Sequence, residues 1–141
     1  MLTSNDIVIA AKECLETPFG HQGRVPGRRM DCVGLVRYPA VRLGLVPSGT
    51  DFRAYHRQPN PKQMRELLLT YFNKSPNLVP GAIIWFEVGA KDPQHLAIYT
   101  FDNTIIHAMS DGPGKVVEHG YRSPWPGRAV EFFRYRGVKY G

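Results

Sequence analysis

The sequence predicts an α+β domain of N-terminal helices packed on an antiparallel β-sheet. Three observations carry that expectation. Apolar residues recur at helical spacing in the first half of the chain. From Leu78 onward they gather instead into short runs of strand length. The two patterns fall in separate halves rather than alternating as βα units, and no internal repeat or linker-like tract interrupts them.

The first helix is expected from Thr3, which with Asp6 resembles a capping box. Ile7, Ala10, Ala11, Cys14 and Leu15 then form one apolar stripe, and Pro18 and Gly20 end the element. Residues Gly20–Met30, rich in Gly, Arg and Pro, read as a loop. A second helix starts at Asp31 and runs through Cys32, Val33, Leu35, Val36 and Ala40 toward Leu43. Pro39 should kink or shorten it. A third helix has Asn60 as N-cap, Pro61 in the first turn, and Met64, Leu67, Leu68 and Tyr71 on one face. The strand candidates are Ala82–Phe86, Leu96–Phe101, Thr104–Met109, Val116–Glu118 and Ala129–Tyr135, forming a meander. Asp102-Asn103 reads as a tight hairpin turn.

Length and composition bound the rest. The 141 residues suit a single domain spanning 1–141, with 43% hydrophobic and 21% charged residues, as in ordinary globular chains. No run approaches the roughly 20 apolar residues of a membrane helix, so no membrane insertion is expected. The N-terminus lacks the pattern of a signal peptide, which leads us to expect synthesis and first folding in a cytoplasm. A net charge of +6 favours an anionic partner. The basic residues are spread from Lys12 to Lys139, with one short cluster at Arg24–Arg29. They do not form the stripe of a groove-binding element, so no nucleic-acid partner is expected.

Cys14 and Cys32 are too few for a disulfide framework. Cys14 lies on an apolar helical stripe and reads as a core side chain. Cys32 follows Asp31 in Met30-Asp31-Cys32-Val33-Gly34-Leu35-Val36. If Asp31 caps the helix, the thiol projects from the first turn, where free backbone N–H groups and the positive dipole end should lower its pKa. Gly34 leaves room beside it for a substrate or another backbone. A small buried apolar residue is the competing reading of Cys32.

A thiol nucleophile needs an imidazole and a third polar group to orient it. His95 opens one strand and His107 lies near the end of the next, so a hairpin at Asp102-Asn103 brings them together on one face. His56 reads as a solvated loop residue and His119, beside Gly120, as a turn residue. A zinc site from His95, His107, His119 and Cys32 is the alternative. It lacks the close ligand pairs such sites use, and no metal or other cofactor is expected.

The residues also resemble a known family. The ordered set is Thr17-Pro18-Phe19, Asp31-Cys32-Val33-Gly34-Leu35-Val36, Pro80-Gly81, His95-Leu96-Ala97-Ile98-Tyr99 and Ile106-His107-Ala108. It is similar to the NlpC-type cell-wall peptidases of the papain-like fold class, over roughly Ile7 to Phe133. Phe19-Gly20-His21-Gln22-Gly23-Arg24 and Gln94-His95-Leu96-Ala97 look most like the phage-tail and prophage branch. The resemblance implies a Cys32, His95, His107 triad on a helix and an antiparallel sheet. It implies hydrolysis of peptidoglycan stem peptides, typically between D-glutamate and diaminopimelate. It implies the Cys32 backbone N–H as oxyanion donor with Gln22 as partner, and Asp31, Val33, Gly34 and His21 as further site residues. Phage-tail hub proteins and incorporation into a virion are the implied partners and destination.

Three positions depart from the family pattern. Val33 stands where a serine is common, Phe19 where a tyrosine usually lends a hydroxyl, and Pro39 in a helix normally regular. Two alternatives therefore stand beside the peptidase: an amidase, deamidase or acyltransferase of the same fold, and a tail-assembly component with little catalysis.

Overall fold

The computed structural model describes residues 1–50, 60–88 and 94–141. Among the described residues three α-helices, α1 (Ser4–Lys12), α2 (Cys32–Arg42) and α3 (Pro61–Tyr71), accompany eight strands. Strands β1 (Arg24–Val25) and β2 (Arg29–Met30) form a separate two-stranded ladder. The main sheet holds β3 (Asn73–Ser75), β4 (Ile83–Glu87), β5 (Gln94–Tyr99), β6 (Thr104–Ala108), β7 (Val116–Gly120) and β8 (Ala129–Arg134), all antiparallel. His56 lies outside the described residues.

Each helix begins where its local chemistry supplies a cap. The Thr3 N–H donates to Asp6 Oδ2 at 2.8 Å ahead of α1. Asn60 Oδ1 accepts from the Gln63 N–H at 2.8 Å, with Pro61 in the first turn of α3. α1 ends at Lys12, earlier than its apolar stripe suggested; Cys14 follows in a turn yet is still fully buried. Pro39 does not break α2, which continues to Arg42. It sits buried in the middle of the helix, and tertiary packing outweighs the lost backbone bond.

Sheet order β3-β8-β4-β5-β6-β7 corrects the expected meander in one respect. Strands β4 to β7 follow one another, but β8 returns to pair with β4, and the short polar β3 is added outside it. The Gly20–Met30 segment, expected as a loop, carries the β1–β2 ladder. Its turn has Pro26-Gly27 at the centre, Gly27 at φ 82° and an Arg28 N–H to Val25 O bond of 3.0 Å, the geometry of a Pro-Gly turn.

The main sheet is covered on both faces, which explains why its strands read as apolar runs without clean alternation. Ile83, Trp85, Leu96, Ile98, Ile106 and Ala108 face the larger core with Ile7, Val36, Met64 and Leu68 of the helices. Ile84, Phe86, Ala97 and Ile105 face a smaller core completed by Tyr99, Tyr121, Trp125 and Phe132.

The β1–β2 ladder and α2 meet at Gly34. A Cβ there would stand 2.1 Å from the Gly23 carbonyl oxygen, so the close approach requires glycine. Gly34→Ala should cost about 3 kcal/mol, as an overpacked contact between two backbones. Urea unfolding measures it, and an unchanged midpoint would contradict this packing.

Candidate active site

Asp31 organises the start of α2. It is 4% exposed, and its backbone is extended, which leaves its carboxylate free to reach forward as an N-cap. Oδ1 accepts the Gly34 N–H at 2.8 Å and Arg24 Nη1 at 3.0 Å; Oδ2 accepts the Gln22 N–H at 2.8 Å. One buried carboxylate thus holds the helix tip, the basic residue of β1 and the turn at Gln22, whose φ is 57°. Burying the Arg24–Asp31 pair is tolerable because both charges are hydrogen-bonded.

This arrangement places Cys32 as the first residue of α2, with its sulfur against the N–H of Leu96 and its own N–H. The lowered thiol pKa expected at a helix start is not what the site produces. Burial, and then the adjacent Asp31 carboxylate, push the thiol up to about 12, against the opposing pull of the two N–H groups and Arg24. The helix-end field is outweighed because the partly buried residue is largely withdrawn from water and its cap is itself an anion. This balance favours the neutral thiol at rest.

Leu96 follows His95 on β5, so the sulfur rests against the backbone next to the residue that carries the imidazole. His95 Nε2 lies 2.7 Å from His107 Nδ1. The row does not stop there: His107 Nε2 lies 2.7 Å from His119 Nε2, and His119 Nδ1 lies 3.0 Å from the Gly120 carbonyl oxygen. Register accounts for the geometry. Ile98 pairs with Ile106 across β5 and β6, and Ile105 with His119 across β6 and β7. Each histidine is therefore diagonal to the next and on the same sheet face, within reach of long side chains. The Trp125 ring packs against all three imidazoles, with centroids 5.9, 4.9 and 5.7 Å away.

Burial sets the charge of His95 and His107. It lowers His95 to about 4, with His119 adding to the effect. It lowers His107 to about 2, with His95 and His119 contributing. Neutral imidazoles are what this nitrogen-to-nitrogen packing needs, since two rings cannot both donate across one contact. Among the described residues no group of three or more His, Cys, Asp or Glu is placed to hold a metal ion.

His95 and His107 thus meet directly and Cys32 reaches the same strand at the Leu96 N–H, whereas the accessory residues divide. Val33 is 1% exposed and packs into the larger core, so its side chain does not line the site. Asp31 and Gly34 are likewise buried and engaged with Gln22, Arg24 and Gly23; they frame the cysteine rather than meet a substrate. His21 and Gln22 are half-buried in the turn before β1. Two residues escaped the sequence reading. His119 is no turn residue but the third member of the row, and Trp125 is its cover. The twelve-residue spacing of the three histidines was the available signal for His119.

The comparisons agree with this architecture. Residues 16–134 match the NlpC/P60 family. The chain belongs to that family. Among solved structures, a lipoprotein-like NLP/P60 protein from Staphylococcus aureus Mu50 aligns with TM-score 0.62 and 18% identity, covering 94% of this chain and 41% of that one. The NlpC/p60 domain of the peptidoglycan hydrolase SagA aligns with TM-score 0.59 and 19% identity, covering 94% and 98%. RipD from Mycobacterium tuberculosis, described as a non-catalytic NlpC/p60 domain protein adapted to peptidoglycan binding, aligns with TM-score 0.57 and 15% identity, covering 96% and 97%. The chain thus spans about two fifths of the staphylococcal protein and nearly all of the other two. No curated protein matches by sequence. At these identities the structural neighbours establish the fold.

The buried histidines make a pH prediction. Unfolded, each takes up a proton near 6.5; folded, His95 does so near 4 and His107 near 2. Their contribution to stability is complete above about pH 6.5 and declines as pH falls through 6.5 toward 4. Urea midpoints should therefore drop between pH 7.5 and pH 5, and His107→Asn should weaken that dependence. A midpoint constant over this range would mean the row is already charged.

Proposed function

We propose that this NlpC/P60 domain is a cysteine peptidase that hydrolyses amide bonds in peptidoglycan stem peptides. Cys32 is the nucleophile, His95 the general base and His107 the group that orients it. The observation that carries this reading is the His95 Nε2 to His107 Nδ1 contact of 2.7 Å, beside a sulfur held by the next residue's N–H. With Nε2 engaged, Nδ1 of His95 is the nitrogen left for the thiol proton.

The neutral resting pair requires proton transfer to accompany attack. His95 Nδ1 takes the proton as Cys32 Sγ bonds to the substrate carbonyl carbon. The oxyanion is met by the Cys32 backbone N–H, with Gln22 as second donor. His95 then gives its proton to the departing amine, leaving a thioester. Water, deprotonated by the same imidazole, attacks the thioester and releases a carboxylic acid and the free thiol.

The cell-wall substrate is supported by the family membership and by SagA, described as a peptidoglycan hydrolase. The +6 charge suits an anionic wall polymer. We assign the bond between D-glutamate and diaminopimelate as the target, on the resemblance to NlpC-type peptidases, and a phage tail as the setting, on the sequence strings that resemble that branch. The RipD comparison raises a binding-only role, and the intact Cys32 and histidine row of this chain favour catalysis instead.

Incubation with purified muropeptides, followed by mass spectrometry, should show cleaved stem peptides for wild type and none for Cys32→Ala. Intact stem peptides with hydrolysis of another amide would overturn the substrate, and no hydrolysis at all would favour a binding domain. His107→Ala should lower kcat by about 10²-fold or more, in the direction known for a lost orienting partner, while leaving a folded protein. A collapse in melting temperature with unchanged turnover would make His107 a core residue only.

A further inference from the structure

We propose that His119 is a positioning residue, which through the Gly120 carbonyl fixes the direction of every hydrogen bond in the imidazole row. The inference rests on the reading of His95 as base and extends it two side chains outward. A ring-to-ring contact between neutral imidazoles can run either way, because each ring carries one N–H and one lone pair. Two such contacts in series leave the row ambiguous. A backbone carbonyl removes the ambiguity, since it only accepts.

The Gly120 oxygen stands 3.0 Å from His119 Nδ1, so that nitrogen must bear the proton. The Nε2 of neutral His119 is then a bare acceptor, and His107 Nε2, 2.7 Å away, must donate to it. His107 Nδ1 is in turn bare and accepts from His95 Nε2 at 2.7 Å. His95 is thereby left with an unprotonated Nδ1, the form a base needs. Any reversal would set a lone pair of His119 against a lone pair of the carbonyl. Trp125, packed over all three rings, limits the water that would otherwise supply substitute partners.

His107 alone cannot do this. A lone histidine behind His95 could present either nitrogen, and where it donated to His95 Nε2 it would leave an N–H, not a lone pair, facing the thiol. During turnover the same direction lets the His95 imidazolium keep its Nε2–H on His107 while Nδ1 holds the transferred proton. No proton needs to travel down the row.

The test reads tautomers directly. Imidazole ¹⁵N spectra of the resting full chain at neutral pH should show His119 protonated at Nδ1 and His107 at Nε2. Protonation of His107 at Nδ1, or of His119 at Nε2, would overturn the proposal. Kinetics supply a second arm. His119→Leu removes the acceptor and should lower kcat about 10-fold to 100-fold, the scale for losing a partner behind a functional histidine, with KM unchanged. His119→Gln, whose Oε1 accepts from His107 Nε2, should recover most of that loss; equal losses in both variants would refute the acceptor role. The spectra need no substrate, so the predicted tautomers in a chain that cleaves no stem peptide would sink the peptidase reading and leave standing only the direction of the row's hydrogen bonds.

Discussion

Strand register is the constraint on which the candidate site depends. His95, His107 and His119 come from three adjacent strands, and each contact requires a diagonal placement on one sheet face. A one-residue slip of β6 would turn His107 into the larger core and carry Ile106 to the imidazole side. The register is protected by burial on both faces. Ile98, Ile106 and Ala108 are locked against the helices, while Ala97 and Ile105 are locked beneath Trp125 and its neighbours. Apolar packing, not any polar contact, is what makes the polar row reproducible.

The second requirement is met at the helix tip. Asp31 ties α2, Arg24 and the Gln22 turn into one buried cluster, and the glycine at 34 lets the ladder approach close enough for that. The cluster has an electrostatic consequence. A buried anion next to Cys32 disfavours a resting thiolate, and burial of His95 disfavours imidazolium. Both shifts hold the proton on sulfur at rest. A protected neutral thiol is also less open to stray oxidation, because the thiolate is the form that oxidants attack.

Much of this was legible in the sequence, and the exceptions share a cause. Caps at Thr3, Asp31 and Asn60 are local chemistry, and all three helices start where those residues predicted. The pairing of His95 with His107 was legible because a hairpin ties strand order to contact. Non-local choices were not legible. Nothing in Ala129–Arg134 says that it returns to β4, and three polar residues at Asn73–Ser75 carry no strand signal. Pro39 looked like a break because propensity is read one residue at a time, whereas the core that overrides it is assembled from the whole chain. His119 was lost for the opposite reason: its neighbour Gly120 suggested a turn, while its partner lay one strand away. The thiol pKa was misjudged because a helix start is visible in sequence and depth of burial is not.

The central claim is that His95, held by the row behind it, is the base that removes the Cys32 proton. The pH dependence of iodoacetamide alkylation at Cys32, in wild type and in His95→Gln, tests it most directly. A base that acts during attack predicts a wild-type rate at neutral pH well above that of His95→Gln, because the imidazole removes the thiol proton as sulfur attacks, with both proteins speeding up in strong alkali. Profiles that coincide in the two proteins would show that the imidazole takes no part, and would contradict the account.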